Sequence, residues 1–359
     1  MADLSAKRGS MKLFVFAGEM SADLCASRVI PHLKHSLGAF ELIGVGGPHL
    51  KASGQKQVLT MQAFQTMGFS DVLKRLPTVL KNFYTVRNAI IDENPELVLF
   101  IDQPALSIRM AKNLRKNGFK GKIVQFVAPT VWAYNPKRAD IMAESFDLLL
   151  TLFDFEPKYF SHTSLKTVFV GHPIVEIIES AKQAPKTLSL KKPLLAIFPG
   201  SRPDEIQRNL PKQLQAAHLV KKEHPELDIV VSGRDVAFEA RYELMRESSL
   251  ALAKSGTVTL ELLLHQVPTV VTYELTLLNR LAAKYLIGID KMPYYSIANI
   301  VSGKEIFPEL IRPPVTCQAI AKELSRLYSC PTEIPLPSLQ EGDIAPSKRV
   351  ADEISLLLT

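Results

Sequence analysis

The stretch that decides the fold is Lys12–Asp23, KLFVFAGEMSAD. Five apolar positions after Lys12 end at Gly18, and a small, acidic turn then opens a helical pattern with Leu24, Val29, Ile30 and Leu33 apolar over residues 22–36. A buried strand running straight into a helix is the opening of a βα unit. The same grammar recurs outward from it. Residues 41–45 read as a second strand closed by Gly46-Gly47-Pro48, and strands follow at 97–101, 123–127, 147–152 and 167–170. A break falls near Gly171-His172-Pro173, and residues 179–192 are polar, Lys-rich and irregular. The alternation restarts with a strand at 194–198, a turn at Pro199-Gly200-Ser201, a helix at 205–222 and strands at 229–232, 249–253 and 268–273. Strands alternating with helices predict parallel sheets in an α/β chain of two doubly wound halves. The expected domains are 1–175 and 190–330, with 331–359 a Pro-rich linker and a terminal helix at 347–358. Ligands are expected at the carboxyl ends of the strands, in a cleft between the halves.

Composition bounds the function. The chain has 359 residues, 47% of them hydrophobic and 22% charged, enough for two cores. Three cysteines, Cys25, Cys317 and Cys330, form neither a disulfide framework nor a Cys-x-x-Cys zinc motif. The eight histidines include no His-x-x-x-His pair, so no metal site is expected. No apolar run approaches the ~20 residues of a membrane span, and the residues after Met11 are too short for a signal peptide. Net charge is +7, with 21 Lys/Arg against 16 Asp/Glu over residues 1–180 and 22 against 20 over the remainder. That excess sits beside an apolar helical pattern at 67–84 (Leu73, Leu76, Val79, Leu80 and Phe83 among Lys74, Arg75 and Lys81) and beside six basic residues between Arg109 and Lys122. A basic amphipathic surface reads as lipid-facing or as an ordinary solvated helix face.

Five loops could carry chemistry. Gly18-Glu19-Met20-Ser21-Ala22-Asp23 follows the first strand and reads as an anion site or a capped turn, with Ser21 or Asp23 at the cap. Ile101-Asp102-Gln103-Pro104 puts a carboxylate at a strand end, as a general base or as a cap for the next helix. Ala128–Tyr134 holds the only tryptophan, Trp132, beside Lys137-Arg138; it could line a sugar or acyl pocket or be core. Phe198–Glu205 places Arg202 at a helix start, where it could meet a phosphate or pair with Glu205. Ser255-Gly256-Thr257 with Glu261 is a second such start, with Glu261 one turn in to accept from ribose hydroxyls or simply sit in the first turn. Neither is a Walker A loop or a Gly-x-Gly-x-x-Gly fingerprint.

In this order the motifs GEMSAD (Gly18–Asp23), GVGGPHLKASG (Gly44–Gly54), Met67-Gly68, IDQP (Ile101–Pro104), APTVWAY (Ala128–Tyr134), Lys137-Arg138, Gly171-His172, PGSRPDE (Pro199–Glu205), SGTVTLE (Ser255–Glu261) and NIVSGKE (Asn299–Glu305) resemble the lipid-A-disaccharide synthases, from about Met11 to about Leu310. The resemblance implies a GT-B fold with two Rossmann-like domains. It implies an inverting transfer from UDP-2,3-diacylglucosamine to 2,3-diacylglucosamine 1-phosphate, with a β-1,6-linked disaccharide and UDP as products. It implies Asp102 as base and Arg202 on the diphosphate; Ser201, Glu205, Ser255, Gly256, Thr257, Glu261 and Asn299 on the UDP side; and Gly18, Glu19, Ser21, Asp23, Trp132 and His172 on the acceptor side. No metal or other cofactor is implied, since the UDP-sugar is a substrate. Met67, Phe69, Leu73, Lys74, Arg75, Leu76 and Leu80 would face the cytoplasmic membrane, where the protein would sit peripherally. No nucleic acid is expected, and a homo-oligomer is compatible. The sequence departs from the family twice: Pro104-Ala105-Leu106-Ser107 stands where the family reads Pro-Asp-Phe-Asn, and residues 233–241 are about one strand-and-helix unit short, which predicts an exposed apolar sheet edge. The alternatives are a UDP-sugar 2-epimerase-like enzyme on the same fold and a catalytically impaired nucleotide-sugar or membrane-binding relic.

Overall fold

In the computed structural model the described residues are 11–64, 76–132, 135–237, 240–274, 293–311 and 315–359, and they fall into two compact units. The first unit is built from β1 (Lys12–Ala17), α1 (Met20–Leu37), β2 (Glu41–Gly46), α2 (Pro48–Ala52), β3 (Lys56–Thr60), α3 (Leu76–Glu93), β4 (Leu97–Ile101), α4 (Pro104–Lys116), β5 (Lys122–Phe126), α5 (Arg138–Ala143), β6 (Leu148–Thr151) and β7 (Thr167–Phe169). All seven strands are parallel, in the order β3-β2-β1-β4-β5-β6-β7. The β-strand period of two sorts the side chains. Phe14, Phe16, Val98 and Phe100 enter one apolar cluster, while Leu13, Val15, Leu97 and Leu99 enter the other. A sheet covered on both faces accounts for strands that read as unbroken apolar runs.

The second unit holds α6 (Ile174–Gln183), β8 (Leu194–Phe198), α7 (Pro203–Glu223), β9 (Asp228–Val231), α8 (Arg241–Glu247), β10 (Leu250–Lys254), α9 (Val258–Leu264), β11 (Thr269–Thr272), α10 (Ile297–Ser302), β12 (Glu309–Leu310) and α11 (Cys317–Ser329). Its parallel sheet runs β12-β11-β10-β8-β9. Val220 of α7 and Leu324 of α11 pack with Leu195, Ile197 and Leu252 on one face. The short strands β3 and β12 have no counterpart in the sequence reading. One is half-exposed along its length and the other has two residues, so neither carries an apolar run.

The boundaries differ from those expected. The first unit ends at Pro173 and resumes at Leu339; the second runs from Ile174 to Ser338. Residues 174–192 therefore belong to the second unit, where polar bonds to α8 pin them. Arg246 donates to the carbonyls of Ala181, Lys182 and Ala184, Glu243 accepts from Thr187 and Leu188, and Glu247 pairs with Lys186 and Lys192 at 2.8 and 2.7 Å. A segment held by ions and backbone bonds has the composition of a linker. The last helix, α12 (Pro346–Leu358), returns to the first unit and packs along α1, with Val350, Ala351 and Ile354 among Val29, Ile30 and Leu33.

The exposed edge expected beside residues 233–241 is not what the second sheet shows. Edge strand β9 has only four residues, and its outer N–H at Val231 is capped by Asp235 Oδ2 at 2.8 Å. The turn 233–236 folds back, with an isolated bridge between Ser232 and Val236, and Val236 is buried. A charged cap on a short strand is a recurrent way to silence an edge.

Ile354 is fully buried between α12 and α1. Ile354→Ala is expected to lower the unfolding free energy of the chain by about 2–4 kcal/mol, read from urea denaturation.

Candidate functional site

In a doubly wound sheet the crevice opens where successive connections leave in opposite directions. In the first unit that point lies between β1 and β4, so the loops beginning at Gly18 and Asp102 meet there. Gly18 has no room for a side chain: a Cβ would lie 2.7 Å from the Gln103 amide. Asp102 and Gln103 are both left-handed, with φ of 60° and 49°, and on the next strand Val127 is left-handed at 77°. That conformation is costly for a β-branched residue and clusters at functional sites. One buried side chain clasps all of it. Gln125 Nε2 donates to the carbonyls of Asp102, Phe126 and Val127 at 3.1–3.2 Å, and the Asp102 N–H donates to Phe126 O at 3.0 Å. Asp102 is not the cap of α4: Gln103 occupies that position, and its side chain makes no capping bond. Gln125 was not singled out in the sequence, although a glutamine inside Lys122-Ile123-Val124-Gln125-Phe126 is the signal that marks it.

The acidic turn divides its labour. Glu19 is half-buried and Ser21 exposed at the start of α1. Asp23 is fully buried, and its carboxylate accepts from Gly47 N at 2.7 Å, Leu50 N at 3.1 Å and His49 N at 2.8 Å. It closes the start of α2 from a different helix, and Gly47 must be glycine because a Cβ would meet Asp23 Oδ2 at 2.7 Å. The motifs at 18–23 and 44–54 are thus one structural device.

Beyond β5 and β6, Trp132, Phe155, Phe153 and His172 form a ladder of ring contacts at 5.9, 5.5 and 5.7 Å. Glu156 lies buried beside it, with Oε2 accepting from Leu152 N and Phe153 N, while the Trp132 Nε1 is buried and short of hydrogen-bond geometry. Burial pushes the Glu156 carboxyl up to about 7 and the half-buried His172 imidazole down to about 4.

The second unit has its reversal between β8 and β10. It brings Pro199–Glu205 beside Ser255–Glu261, two loops 50 residues apart in sequence. Ser201 and Arg202 are exposed there, Arg202 being the N-terminal flank of α7. Glu205 pairs with Lys254 rather than chiefly with Arg202, at 2.9 Å. Ser255 Oγ donates to Tyr295 O, and Thr259 Oγ1 to the Gly256 carbonyl, while Thr257 is exposed. Glu261 is buried and its Oε1 accepts from Tyr242 at 2.9 Å with Arg241 at 3.5 Å, a pair the sequence reading missed. Asn299 is fully buried and spends its amide inside the unit, donating to Phe307 O and Glu309 and accepting from Ile306 N and Phe307 N. Its part is to fix the turn before β12.

Of the expected lipid-facing residues, Met67, Phe69, Leu73, Lys74 and Arg75 lie outside the described residues. Leu76 opens α3, and Val79, Leu80 and Tyr84 are exposed along it. The basic tract after it is partly committed elsewhere: Arg115 bonds Asp147 and the carbonyls of Ser145, Phe119 and Gly121. Among the described residues no helix is long and apolar enough to cross a membrane, and no group of three His, Cys, Asp or Glu could hold a metal ion.

A family model described as lipid-A-disaccharide synthetase matches residues 13–240 and 234–331, the two matches meeting at the segment that reads as short. A lipid-A-disaccharide synthase of Chlamydia pneumoniae is 36% identical over 322 residues, 83% of this chain and 53% of that protein. One of Rhodospirillum centenum is 30% identical over 383 residues, 97% of this chain and 94% of that protein. The chain spans about half the length of its chlamydial relatives. Among solved structures, the UDP-GlcNAc 2-epimerase of Methanocaldococcus jannaschii in complex with UDP-GlcNAc and UDP matches with a TM-score of 0.63 at 10% identity, over 96% of this chain and 100% of that one. That likeness is one of fold: α/β, with two Rossmann-like domains of the GT-B type.

Gln125→Leu removes the donor that clasps three carbonyls and lets Asp102 and Gln103 leave the left-handed region; trypsin cleavage at Arg109 or Lys112 should accelerate, with unfolding free energy down about 1–3 kcal/mol. For Glu156 the folded pKa lies above the ordinary value of about 4.5. Its stabilising share is therefore full below pH 4.5, falls as pH rises to about 7 and is level beyond. His172 has the opposite sign, gaining as pH rises from about 4 to 6.5. Glu156→Gln should therefore be more stable than the parent at pH 8 by about 1–3 kcal/mol and no more stable at pH 4, by urea denaturation at both.

Proposed function

The chain belongs to the lipid-A-disaccharide synthetase family, and on that premise we propose that it is an inverting glycosyltransferase. It would join UDP-2,3-diacylglucosamine to 2,3-diacylglucosamine 1-phosphate and release the β-1,6-linked disaccharide 1-phosphate and UDP. The observation that carries the reading is the left-handed Asp102–Gln103 pair at the reversal point of the first sheet, held against its own strain by Gln125. A carboxylate kept at a strand end at such a cost has the form of a positioned base.

The step is a single displacement. The Asp102 carboxylate takes the proton of the acceptor 6-hydroxyl as that oxygen attacks C1 of the donor sugar. The C1–O bond to UDP breaks from the opposite face, and the electron pair leaves with the diphosphate. Arg202 and the backbone N–H groups at the start of α7 stabilise that charge as it develops, so the reading assigns this task to side chain and backbone rather than to a metal. Ser201, Ser255, Gly256 and Thr257 line the nucleotide side. Glu261 and Asn299 act there through the loops they fix. Gly18, Glu19 and Ser21 line the acceptor side, Gly18 by letting its loop lie against Gln103, and the Trp132–His172 ladder is apolar surface for an acylated sugar. Exposed Val79, Leu80 and Tyr84 on α3 support peripheral attachment to the cytoplasmic face of the inner membrane, where both acylated substrates reside.

The test is turnover in detergent micelles with radiolabelled 2,3-diacylglucosamine 1-phosphate and UDP-2,3-diacylglucosamine. Disaccharide formation is expected, and Asp102→Ala should reduce kcat by about 10²–10⁴-fold. Undiminished turnover in that variant would refute the base. Epimerisation of unacylated UDP-N-acetylglucosamine in place of disaccharide would favour an epimerase.

A further inference from the structure

Lys254 is the last residue of β10, on the side of the sheet reversal that faces the Arg202 loop, and neither composition nor motif singles it out. Its side chain is 16% exposed, its Nζ lies 5.0 Å from the Tyr273 ring centroid, and it is 3.8 Å from where a Cβ on Gly256 would stand. A lysine this enclosed needs a counter-charge. Glu205 supplies it: Oε1 accepts from Lys254 at 2.9 Å, and Oε2 lies 2.8 Å from where a Cβ on Gly200 would stand. Gly200 has φ of 130°, so two requirements, backbone angle and space, keep it glycine. Burial pushes the Glu205 carboxyl up, yet Lys254, Arg202 and the Ser201 N–H outweigh it and hold the group below its ordinary range. The carboxylate is thus an anion received by one lysine, one backbone N–H and the field of one arginine. Those are the donors that a phosphate takes.

We propose that Lys254 is a second phosphate-binding cation of the nucleotide site and that Glu205 is its resident counter-anion, displaced when a diphosphate enters. This rests on the nucleotide reading above. It reassigns Glu205 from a residue that holds the ligand to one that competes with it. Without ligand the exchange leaves no enclosed ammonium unpaired. With ligand, the diphosphate brings more charge than one carboxylate and meets two cations on different loops, Arg202 from the β8 end and Lys254 from the β10 end. Glu205 swings away from Lys254, because two anions cannot share the lysine without repulsion.

The experiment is titration calorimetry on the full chain with UDP, with inorganic pyrophosphate and with uridine. Glu205→Gln keeps the shape and an acceptor for Lys254 but removes the competing charge; UDP and pyrophosphate should bind about tenfold tighter, uridine unchanged. Lys254→Met should weaken UDP and pyrophosphate about tenfold and leave uridine unchanged, while Lys254→Arg should restore UDP binding. Thermal melting of each variant separates a lost site from a lost fold, and Glu205→Gln, which keeps the packing, carries the test if Lys254→Met unfolds. UDP binding that is equal in the parent and in Glu205→Gln, or weaker in the latter, overturns the exchange. A parent that binds neither UDP nor pyrophosphate overturns the nucleotide reading and this inference together.

Discussion

The constraint on which the rest depends is that every described strand in both sheets is parallel. A parallel pair cannot be closed by a tight turn, so each connection must climb back along the sheet, most of them as a helix and that from β6 to β7 as an irregular loop. All carboxyl ends then fall on one edge, and wherever the winding reverses, two neighbouring loops part. The first sheet reverses beside β1 and the second beside β8. No side chain creates these crevices; they follow from handedness and strand order. What the sequence chooses is the furniture of each: Gly18 against Gln103 in one, Gly200 against Glu205 in the other.

The furniture is held under load in the first unit and by charge in the second. Left-handed Asp102, Gln103 and Val127 are each disfavoured by sterics; Gln125 ties the carbonyls of Asp102 and Val127 from inside the sheet, and the Gln103 carbonyl is taken by Leu106 N and Ser107 N at the start of α4. In the second unit the loops 199–205 and 255–261 hold a single positive φ, that of Gly200, and the tension is electrostatic: Glu205 and Lys254 neutralise one another at a place with little solvent. Strain fixes a geometry that does not depend on ligand. Ion pairing fixes one that can be exchanged. The different roles proposed for the two loops, a positioned base and a binding cradle, match these different means of support.

Much of the fold was legible because buried parallel strands leave apolar runs of five or six residues between Gly-, Pro- and acid-rich turns. The runs at 12–17, 97–101 and 194–198 are strands with little change of boundary. β3 and β12 escaped because an edge strand keeps polar residues and a two-residue strand has no pattern. The division between the units was misplaced because residues 184–192 have linker composition yet are bound by Glu243, Arg246 and Glu247, three residues of a helix some 55 positions downstream. The site was legible as motifs but not as roles. Asp23 and Asp102 both sit in loops after apolar strands, and nothing local distinguishes them. Only the fold shows that Gly47, His49 and Leu50 return to consume one carboxylate while the other stays half-exposed at the sheet's mouth.

The shortened segment at 233–241 lies away from the crevice of the second sheet. In the order β12-β11-β10-β8-β9 it follows the outermost strand, and the crevice lies on the other side of β8. Shortening there subtracts from the rim of the sheet, and the rim is sealed by Asp235 on Val231 and by buried Val236. The helix just after it, α8, has Leu244 and Met245 fully buried and carries the residues that pin 181–192. It also delivers Arg241 and Tyr242 onto Glu261, one turn into α9 beside the crevice. Of its described residues, Asp235 and Val236 close an edge, and Arg241, with Tyr242 next to it, braces a loop of the proposed nucleotide site. Half-buried Tyr242, with the Arg241 guanidinium 4.2 Å from its ring centroid, thus spends its hydroxyl on the one carboxylate of α9, which couples the end of the shortened segment to the loop that α9 opens.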